Sequence, residues 1–360
     1  MKRQTDQSNP DTIVIGAGII GLSIAWRLSQ RGLRVTLIDA GKAGAEASWA
    51  GAGMLAPGGE VTERTEWSDF ALHSLRLYPE FIAELERESG CAIDYQRTGA
   101  TEIATTEADW IVLQERAANQ RELGISSVPV DQAHALFYPE DASVDPRDVT
   151  RALLAACRRR QVCVYENLPV TGIHAAPLSV DVETPTGRLT ATTAVLSAGA
   201  WSGQIPFTHS SAPGRLPGSF PVRGHLIGYR LEPGSCPTIL RHGHTYILQR
   251  RSGFTIAGTS METVGFDRTI DPAIVSDITR RAEGLLPILR QAGAPEAWIG
   301  FRPRADAHQP QIRRFTDSAL WLAYGHFRNG ILLAPATAER VTAEIMSNAE
   351  TGSSSLSGSR

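Results

Sequence analysis

Features that mark several protein classes are scarce in this chain of 360 residues. It has four cysteines, and no pair has CxxC spacing or lies among histidines at the spacing of zinc ligands. We therefore predict no metal site and no disulfide framework. The pattern favours reduced thiols in a cytoplasmic protein. The cysteines concerned are Cys91, Cys157, Cys163 and Cys236.

Long apolar runs are also missing. The uncharged run Thr12–Trp26 is shorter than the roughly 20 residues that a membrane-spanning helix needs, and glycines interrupt it. The segment before it contains Asp6 and Asp11, which makes it too polar for a secretory signal. We predict no membrane association, and flexible ends over residues 1–10 and 348–360.

Lysine is nearly absent, because Lys2 and Lys42 are the only lysines among 35 basic residues. The arginine bias makes any one arginine weak evidence for a binding site. The formal net charge of −3 gives no sign of a nucleic-acid-binding surface. The length exceeds what one compact core usually holds, so we predict two domains.

Glycine, in contrast, is concentrated at a junction between a strand and a helix. Gly16, Gly18 and Gly21 fit the pattern GxGxxG, after a predicted strand and before a helix with apolar residues at helical spacing. They permit a tight turn, close approach of a pyrophosphate, and packing of helix on strand. Asp39 ends the next predicted strand, where an acid accepts hydrogen bonds from a ribose. The pattern predicts a dinucleotide-binding unit; a glycine-rich turn that binds nothing is the alternative.

The stretch ASWAGAGMLAP, residues 47–57, favours FAD over NAD. It has no charge and no clear helical or strand period. FAD is long, and small residues let further backbone approach its pyrophosphate and ring. A flexible surface loop is the alternative, but it would expose Trp49 and Leu55. The residues predicted to approach FAD here are Ala47, Ser48, Ala52, Gly53 and Met54.

The fold class that follows is α/β: a Rossmann-type FAD-binding domain with an interleaved α+β, mainly antiparallel-sheet substrate domain. Strand patterns dominate residues 222–260. Helices are predicted around 67–89, 107–123, 146–160, 272–290 and within 330–347. The FAD-binding domain is predicted over 11–80, 145–215 and 298–347, and the substrate domain over 81–144 and 216–297.

Two motifs near opposite ends of the chain occur together in a known family. ASWAGAGMLAP after IVIGAGIIGLSIAWRL, with GHFRNGILLAPATA at 325–338, resembles the glycine oxidases, FAD enzymes of thiamine biosynthesis in the D-amino-acid oxidase superfamily. The segments LPVTGI, LSAGAWS, PVRGHL and GFRP lie between them in the expected order, so the resemblance covers residues 11–347. It implies noncovalent FAD and oxidative deamination of glycine, sarcosine or D-alanine. In that reaction hydride passes from Cα to flavin N5, O2 is reduced to H2O2, and the enzyme is often a homotetramer.

The resemblance also implies site residues by motif position. Arg302 and Arg328 would bind the substrate carboxylate, for which a guanidinium offers two parallel donors, and Tyr246 would lie above the flavin. A surface arginine or an ordinary sheet tyrosine is the alternative for each. No catalytic acid or base is predicted, because the cofactor performs the difficult step. The implied and predicted FAD contacts are Gly16, Gly18, Ile19, Ile20, Gly21, Asp39, Ala40, Ala47, Ser48, Ala52, Gly53, Met54, Val170, Gly199, His326, Phe327, Arg328, Asn329, Gly330, Ile331 and Leu332.

Three segments leave their structure open. Residues 302–315 predict a basic loop that alters substrate choice, and Gly58-Gly59 predicts a mobile loop beside the site. Pro335 fits the first turn of a helix starting near Leu333, but it would kink a helix starting at Gly330.

Two other functions also stay open. One is an FAD-dependent dehydrogenase for D-amino acids or sarcosine-type amines with another electron acceptor. The other is a non-catalytic flavin-binding subunit.

Overall fold

The computed structural model describes residues 9–357 except 132, 211–214 and 307–308. Most of the predicted flexible end 1–10 lies outside these residues. So does a small part of the predicted basic loop 302–315, namely residues 307–308.

A six-stranded sheet forms the first layer of the fold. Its strand Thr12–Ile15 is buried along its whole length and pairs in parallel with Val35–Ile38 and Thr193–Leu196. Four buried apolar strands side by side in parallel are typical of sheets covered on both faces. The order across the sheet is Gln311–Arg314, Leu320–Tyr324, Thr193–Leu196, Thr12–Ile15, Val35–Ile38 and Cys163–Tyr165. The predicted α/β class is confirmed.

Four helices pack with this sheet in one hydrophobic core. They are Ile19–Gln30, Glu66–Ser89, Pro146–Arg159 and Gly330–Ser357. Side chains cap two of them, because Thr65 accepts the Ser68 N–H and Asp145 accepts the Arg147 N–H. The last helix continues past the end predicted at 347, into the tail predicted to be flexible.

An eight-stranded, mainly antiparallel sheet forms the second layer. One face packs on the helix Pro272–Leu285, and the other meets Ala50 and Ala52, at the end of the short helix Ala47–Ala50 and just after it. The order is Glu296–Ala305, Ser219–Arg230, Phe254–Gly258, Thr245–Gln249, Ile239–His242, Ala100–Ile103, Ala135–Tyr138 and Val128–Pro129. The antiparallel sheet predicted for the substrate domain is therefore present.

Smaller elements complete the described part of the fold. One further sheet has the order Gly187–Ala191, Val180–Thr184, Gly172–Ala175 and Phe207–His209, and another has Met54–Leu55, Ala142–Val144 and Tyr95–Gln96. Additional helices are Ala47–Ala50 and Glu107–Glu122. Short 3₁₀ helices are Pro57–Gly59, Gly199–Gln204, Pro287–Gln291 and Phe327–Asn329.

The chain passes repeatedly between the two large sheets. Two predicted domain boundaries differ from the structure. The helix Glu66–Ser89 runs across the boundary at residue 80, and the strand Glu296–Ala305 pairs in the eight-stranded sheet although 298–347 was expected with the first sheet. Among the described helices, none has both the length and the apolar character that crossing a bilayer requires.

Candidate active site

A cavity of about 1480 Å³ is lined by residues of both large sheets. It exceeds the roughly 300–1,000 Å³ of most small-molecule sites, as a long cofactor with a substrate beside it would require. Every cofactor and substrate residue predicted from the sequence lines this cavity except Gly21. Other lining residues that no motif marked include Lys42, Glu46, Glu60, His244, Met261 and Arg281.

Each of the three motif glycines is required for a different structural reason. Gly16 has a φ of +100°, and a Cβ there would lie 2.5 Å from the Ser197 carbonyl oxygen. A Cβ on Gly21 would lie 1.9 Å from the Gly16 carbonyl oxygen, so Gly21 packs the helix onto the turn instead of facing the cavity. Gly18 is the N-cap of the helix and brings N–H groups of its first turn to the cavity wall. This is the cradle that a pyrophosphate requires.

Asp39 fixes this turn to the end of the second strand. Its two carboxylate oxygens accept N–H groups from Ala17 and Gly41, each at 2.7 Å. Burial raises the pKa of Asp39, and the two N–H donors oppose that shift. A carboxylate accepts about four hydrogen bonds, so Asp39 keeps acceptor positions for a ribose.

The stretch 47–57 is a clamped wall of the cavity. Ser48 Oγ accepts the Ile19 N–H at 2.9 Å, which joins the short helix Ala47–Ala50 to the glycine turn. The buried guanidinium of Arg250 donates to the carbonyl oxygens of Ala52 and Val144. The surface-loop alternative fails for Leu55, which is fully buried, although Trp49 is 41% exposed.

The segment 326–332 lines another part of the cavity, and its helix begins at Gly330. Pro335 therefore lies inside the helix and removes the N–H that the Ile331 carbonyl would accept. The Tyr78 hydroxyl donates to that carbonyl instead. Ser74 Oγ donates to the Leu332 carbonyl at 2.6 Å and accepts the Ala336 N–H at 3.2 Å. Side chains of the neighbouring helix Glu66–Ser89 thus supply the hydrogen bonds that the helix backbone lacks near Pro335.

His326 enters this segment as a neutral side chain. It is buried, and its Nε2 lies 3.1 Å from Thr337 Oγ1. Burial lowers the pKa of His326 to about 3, so it brings no positive charge to the cavity at neutral pH.

Arg302 lies in the strand Glu296–Ala305, with its guanidinium over Gly224 of the neighbouring strand. A Cβ on Gly224 would lie 2.1 Å from Arg302 Nη1, so only glycine leaves this space. Nη1 donates to the Ser260 carbonyl at 3.0 Å and Nη2 to Thr259 Oγ1 at 2.6 Å. Burial lowers the pKa of Arg302, yet a guanidinium stays charged and keeps N–H donors for a ligand.

Tyr246 and Arg328 also reach the cavity. Burial raises the pKa of Tyr246, so its phenol is a neutral donor, and a Cβ on Gly258 would lie 2.6 Å from its oxygen. Arg328 is bound by the protein itself, because its Nη2 lies 2.5 Å from Glu60 Oε1. Tyr246, Arg302 and Arg328 thus line one cavity, and the guanidinium of Arg328 is already paired with the Glu60 carboxylate.

Two segments that the sequence predicts to be loops have a structure that differs from the prediction. The Gly58-Gly59 segment is anchored rather than mobile: Gly58 N–H donates to Asp141, and Gln120 Nε2 donates to the carbonyls of Gly58 and Val61. The basic segment is mostly strand, in Glu296–Ala305 and Gln311–Arg314. The cavity-lining residues do not include Arg304, Arg313 or Arg314, so the predicted effect of these three on substrate choice has no support.

Known proteins resemble this chain over nearly its whole length. The family model for FAD dependent oxidoreductases matches residues 11–344. A glycine oxidase of Bacillus licheniformis is 31% identical over 94% of this chain and 93% of its own. The bifunctional protein ThiO/ThiG of Trichormus variabilis is 32% identical, and this chain covers 51% of it. The crystal structure of glycine oxidase from Geobacillus kaustophilus, 26% identical, superposes with a TM-score of 0.87 over 94% of this chain and 95% of that one. The chain therefore belongs to the FAD-dependent oxidoreductases, and within them to the glycine oxidase type that acts on CH–NH2 groups.

Proposed function

We propose that the protein oxidises small amines that carry one carboxylate, with glycine, sarcosine and D-alanine as the first candidates and O2 as the electron acceptor. The observation that supports this most is the half-buried, charged Arg302 at the wall of a cavity whose volume is large enough for a long cofactor and a small ligand. The substrate Cα–N bond is oxidised to an imine, which water hydrolyses to ammonia or an amine and a carbonyl acid. FAD, when bound, supplies the two-electron acceptor and passes the electrons to O2, which leaves as H2O2.

Arg302 and Tyr246 are proposed to hold the substrate. The guanidinium binds the carboxylate through donors left after its bonds to Ser260 and Thr259. Tyr246 adds a neutral donor or covers the substrate from the sheet side. Neither group transfers the reacting proton, and we assign no acid or base.

The N-termini of the helices Ile19–Gln30 and Gly330–Ser357 are proposed to hold FAD. Gly16, Gly18 and the N–H groups after Gly18 would bind the pyrophosphate, and Asp39 the ribose. The backbone of Ala52–Met54 and the turn before Gly330 would lie against the ring. The positive end of the helix that starts at Gly330 would favour the negative charge that builds on the ring when it is reduced.

A cytoplasmic homotetramer acting in thiamine biosynthesis, as the resemblance implies, is part of this proposal. The use of O2 as the electron acceptor distinguishes the proposed oxidase from a dehydrogenase. Turnover separates it from a non-catalytic flavin-binding subunit.

The test is the visible spectrum of the purified holoprotein before and after glycine is added without oxygen. We expect the flavin bands to bleach, and to recover in air as peroxide forms. Bleaching that recovers only with a quinone would replace the oxidase by a dehydrogenase. A spectrum that ignores glycine, sarcosine and D-alanine alike would overturn the proposal.

A further inference from the structure

We propose that Thr259 is a positioning residue, whose hydroxyl fixes the orientation in which the Arg302 guanidinium meets a ligand carboxylate. This inference rests on the proposed function, because that function gives Arg302 a carboxylate to bind. It adds a residue that no motif in the sequence marked. Thr259 directly follows the strand Phe254–Gly258 and lines the cavity.

Two hydrogen bonds to adjacent residues hold the Arg302 guanidinium. Nη1 donates to the Ser260 carbonyl oxygen at 3.0 Å, and Nη2 donates to Thr259 Oγ1 at 2.6 Å. A planar group that is bound through two of its nitrogens cannot turn without breaking one of the bonds, so its remaining N–H donors keep one direction. The bond to Ser260 uses the backbone and survives a change of side chain. The bond to Thr259 depends on a single hydroxyl.

The Thr259 hydroxyl is arranged to accept a hydrogen bond from Arg302. Its one proton faces the carbonyl oxygens of His225, at 3.1 Å, and Ser260, at 3.3 Å. Its lone pairs are therefore available to the guanidinium, and the bond to Nη2 is short and charge-assisted. A ligand carboxylate gains nothing from contacting this oxygen directly, because the proton is already donated. Thr259 thus acts on a ligand through Arg302.

Buried contacts fasten the segment that carries Thr259 to the strand that contains His225. His225 is fully buried, and its backbone N–H donates to Ser260 Oγ at 2.9 Å. Ser260 Oγ donates in turn to Glu262 Oε1 at 2.6 Å. The backbones of Glu262 and Arg223 exchange two hydrogen bonds of 2.9 Å each. The segment is therefore held from behind, and Thr259 presents a fixed acceptor.

The side chain of Glu262 is fully engaged by the same strand. The His225 imidazole accepts the Asp271 N–H at Nε2, at 3.0 Å, so its proton lies on Nδ1, which is 2.9 Å from Glu262 Oε1. Arg223 donates through Nε to Glu262 Oε2 at 2.8 Å. This carboxylate is thus committed to other partners, and the free donors of Arg302 remain for a ligand.

The experiment titrates the FAD-loaded protein with acetate, which is glycine without its amine, at constant ionic strength. Dissociation constants come from the change in the visible spectrum of the flavin. Thr259→Val removes the hydroxyl and keeps the branched shape of the side chain. We expect it to weaken acetate binding by about three- to tenfold, because the guanidinium then has to be ordered when the ligand binds. Thr259→Ser keeps the hydroxyl and should restore the parent value.

Thr255→Val is the matched control. Thr255 is a fully buried threonine of the strand Phe254–Gly258 that does not line the cavity. Its hydroxyl accepts from Gln249 Nε2 at 2.9 Å and donates to the Gly253 carbonyl at 3.1 Å. This variant should be less stable in denaturant, yet keep the parent constants for acetate and FAD. The comparison separates a loss of stability from a loss of orientation at Arg302.

Unchanged or tighter acetate binding in Thr259→Val would overturn the inference, since the hydroxyl would then be idle or would compete with the ligand. Equal weakening in Thr255→Val, or in Thr259→Ser, would overturn it too. So would a parent spectrum that acetate does not change, because Arg302 would then bind no small carboxylate. Thr259→Ala repeats the test if Thr259→Val does not load FAD.

The titration requires no turnover. Glycine that fails to bleach the flavin would therefore defeat the proposed oxidase, while the acetate constants would still decide the role of Thr259.

Discussion

The hydroxyl of Tyr78 donates a hydrogen bond to the carbonyl oxygen of Ile331, across the contact of two helices. That carbonyl is free because Pro335, four residues on, has no N–H to offer it. Tyr78 is fully buried, so water does not supply the missing donor. A residue far from the motifs thus fixes the helix start that lines the cavity.

Tyr78→Phe should weaken both folding and cofactor binding. The buried Ile331 carbonyl loses its donor, which costs about 1–3 kcal/mol in the free energy of unfolding. The FAD dissociation constant should rise, because the first turn after Gly330 is less well held. Denaturant unfolding and FAD titration of the apoprotein measure the two effects. Tyr95→Phe, on the ring stacked against Tyr78, is the control. Equal losses in both variants would contradict the assigned role.

Gly224→Ala should displace Arg302 while the protein still binds FAD. The added methyl group would meet the Arg302 guanidinium at little more than 2 Å, so the side chain has to leave its position. The KM for glycine should rise with little change in FAD content. Gly284→Ala, in the helix Pro272–Leu285 with open space around it, is the matched control. An unchanged KM would show that Arg302 does not need this position.

Arg302→Ala should keep FAD and raise the KM steeply. Loss of a buried partner for a ligand carboxylate costs about 2–5 kcal/mol, which is roughly 30-fold or more in KM. Steady-state kinetics with glycine gives the value, and the flavin spectrum reports cofactor content. Arg304→Ala removes an arginine from the same strand that does not line the cavity, and it should leave KM unchanged. Similar kinetics in the two variants would remove Arg302 from the site.

The stability of the protein should fall in acid partly because of His326. Its pKa is about 3 in the folded state, against about 6.5 in an unfolded chain. Between these values the unfolded chain binds a proton that the folded protein excludes, so stability drops as the pH falls. The contribution from pH 7 to pH 5 is about 2 kcal/mol.

Denaturant midpoints measured across this range test the prediction. His326→Gln should have a slope against pH that is shallower by about one proton. A parent slope in His326→Gln would show that the folded protein protonates this side chain at ordinary pH.

The sequence predicts the parts of the site that depend on local backbone geometry. Gly16 and Gly21 are marked by spacing, because a tight turn and close helix packing can be inferred from neighbouring residues alone. The small residues of 47–57 mark a wall that a ligand approaches closely. These signals place nearly all of the predicted residues around one cavity.

The supporting contacts could not be predicted, because they join residues far apart in the chain. Arg250 binds Ala52 across 198 positions, and Arg328 binds Glu60 across 268. A glycine pair read alone indicates mobility, whereas Gly59 leaves room for Arg241 and Gly58 offers its N–H to Asp141. The helix start at Gly330 depended on Tyr78 and Ser74, which no local pattern connects with Pro335.

The threading of the chain through both sheets has a consequence for its biosynthesis. The strand Leu320–Tyr324 must insert beside Thr193–Leu196, and residues 326–332 then close the cavity wall. A ribosome has therefore delivered both sheets, with their exposed apolar faces, before any cofactor can be captured. During that interval the nascent protein has incomplete hydrophobic cores, and exposed apolar surface of that kind favours aggregation. FAD supply thus acts on the final step of maturation.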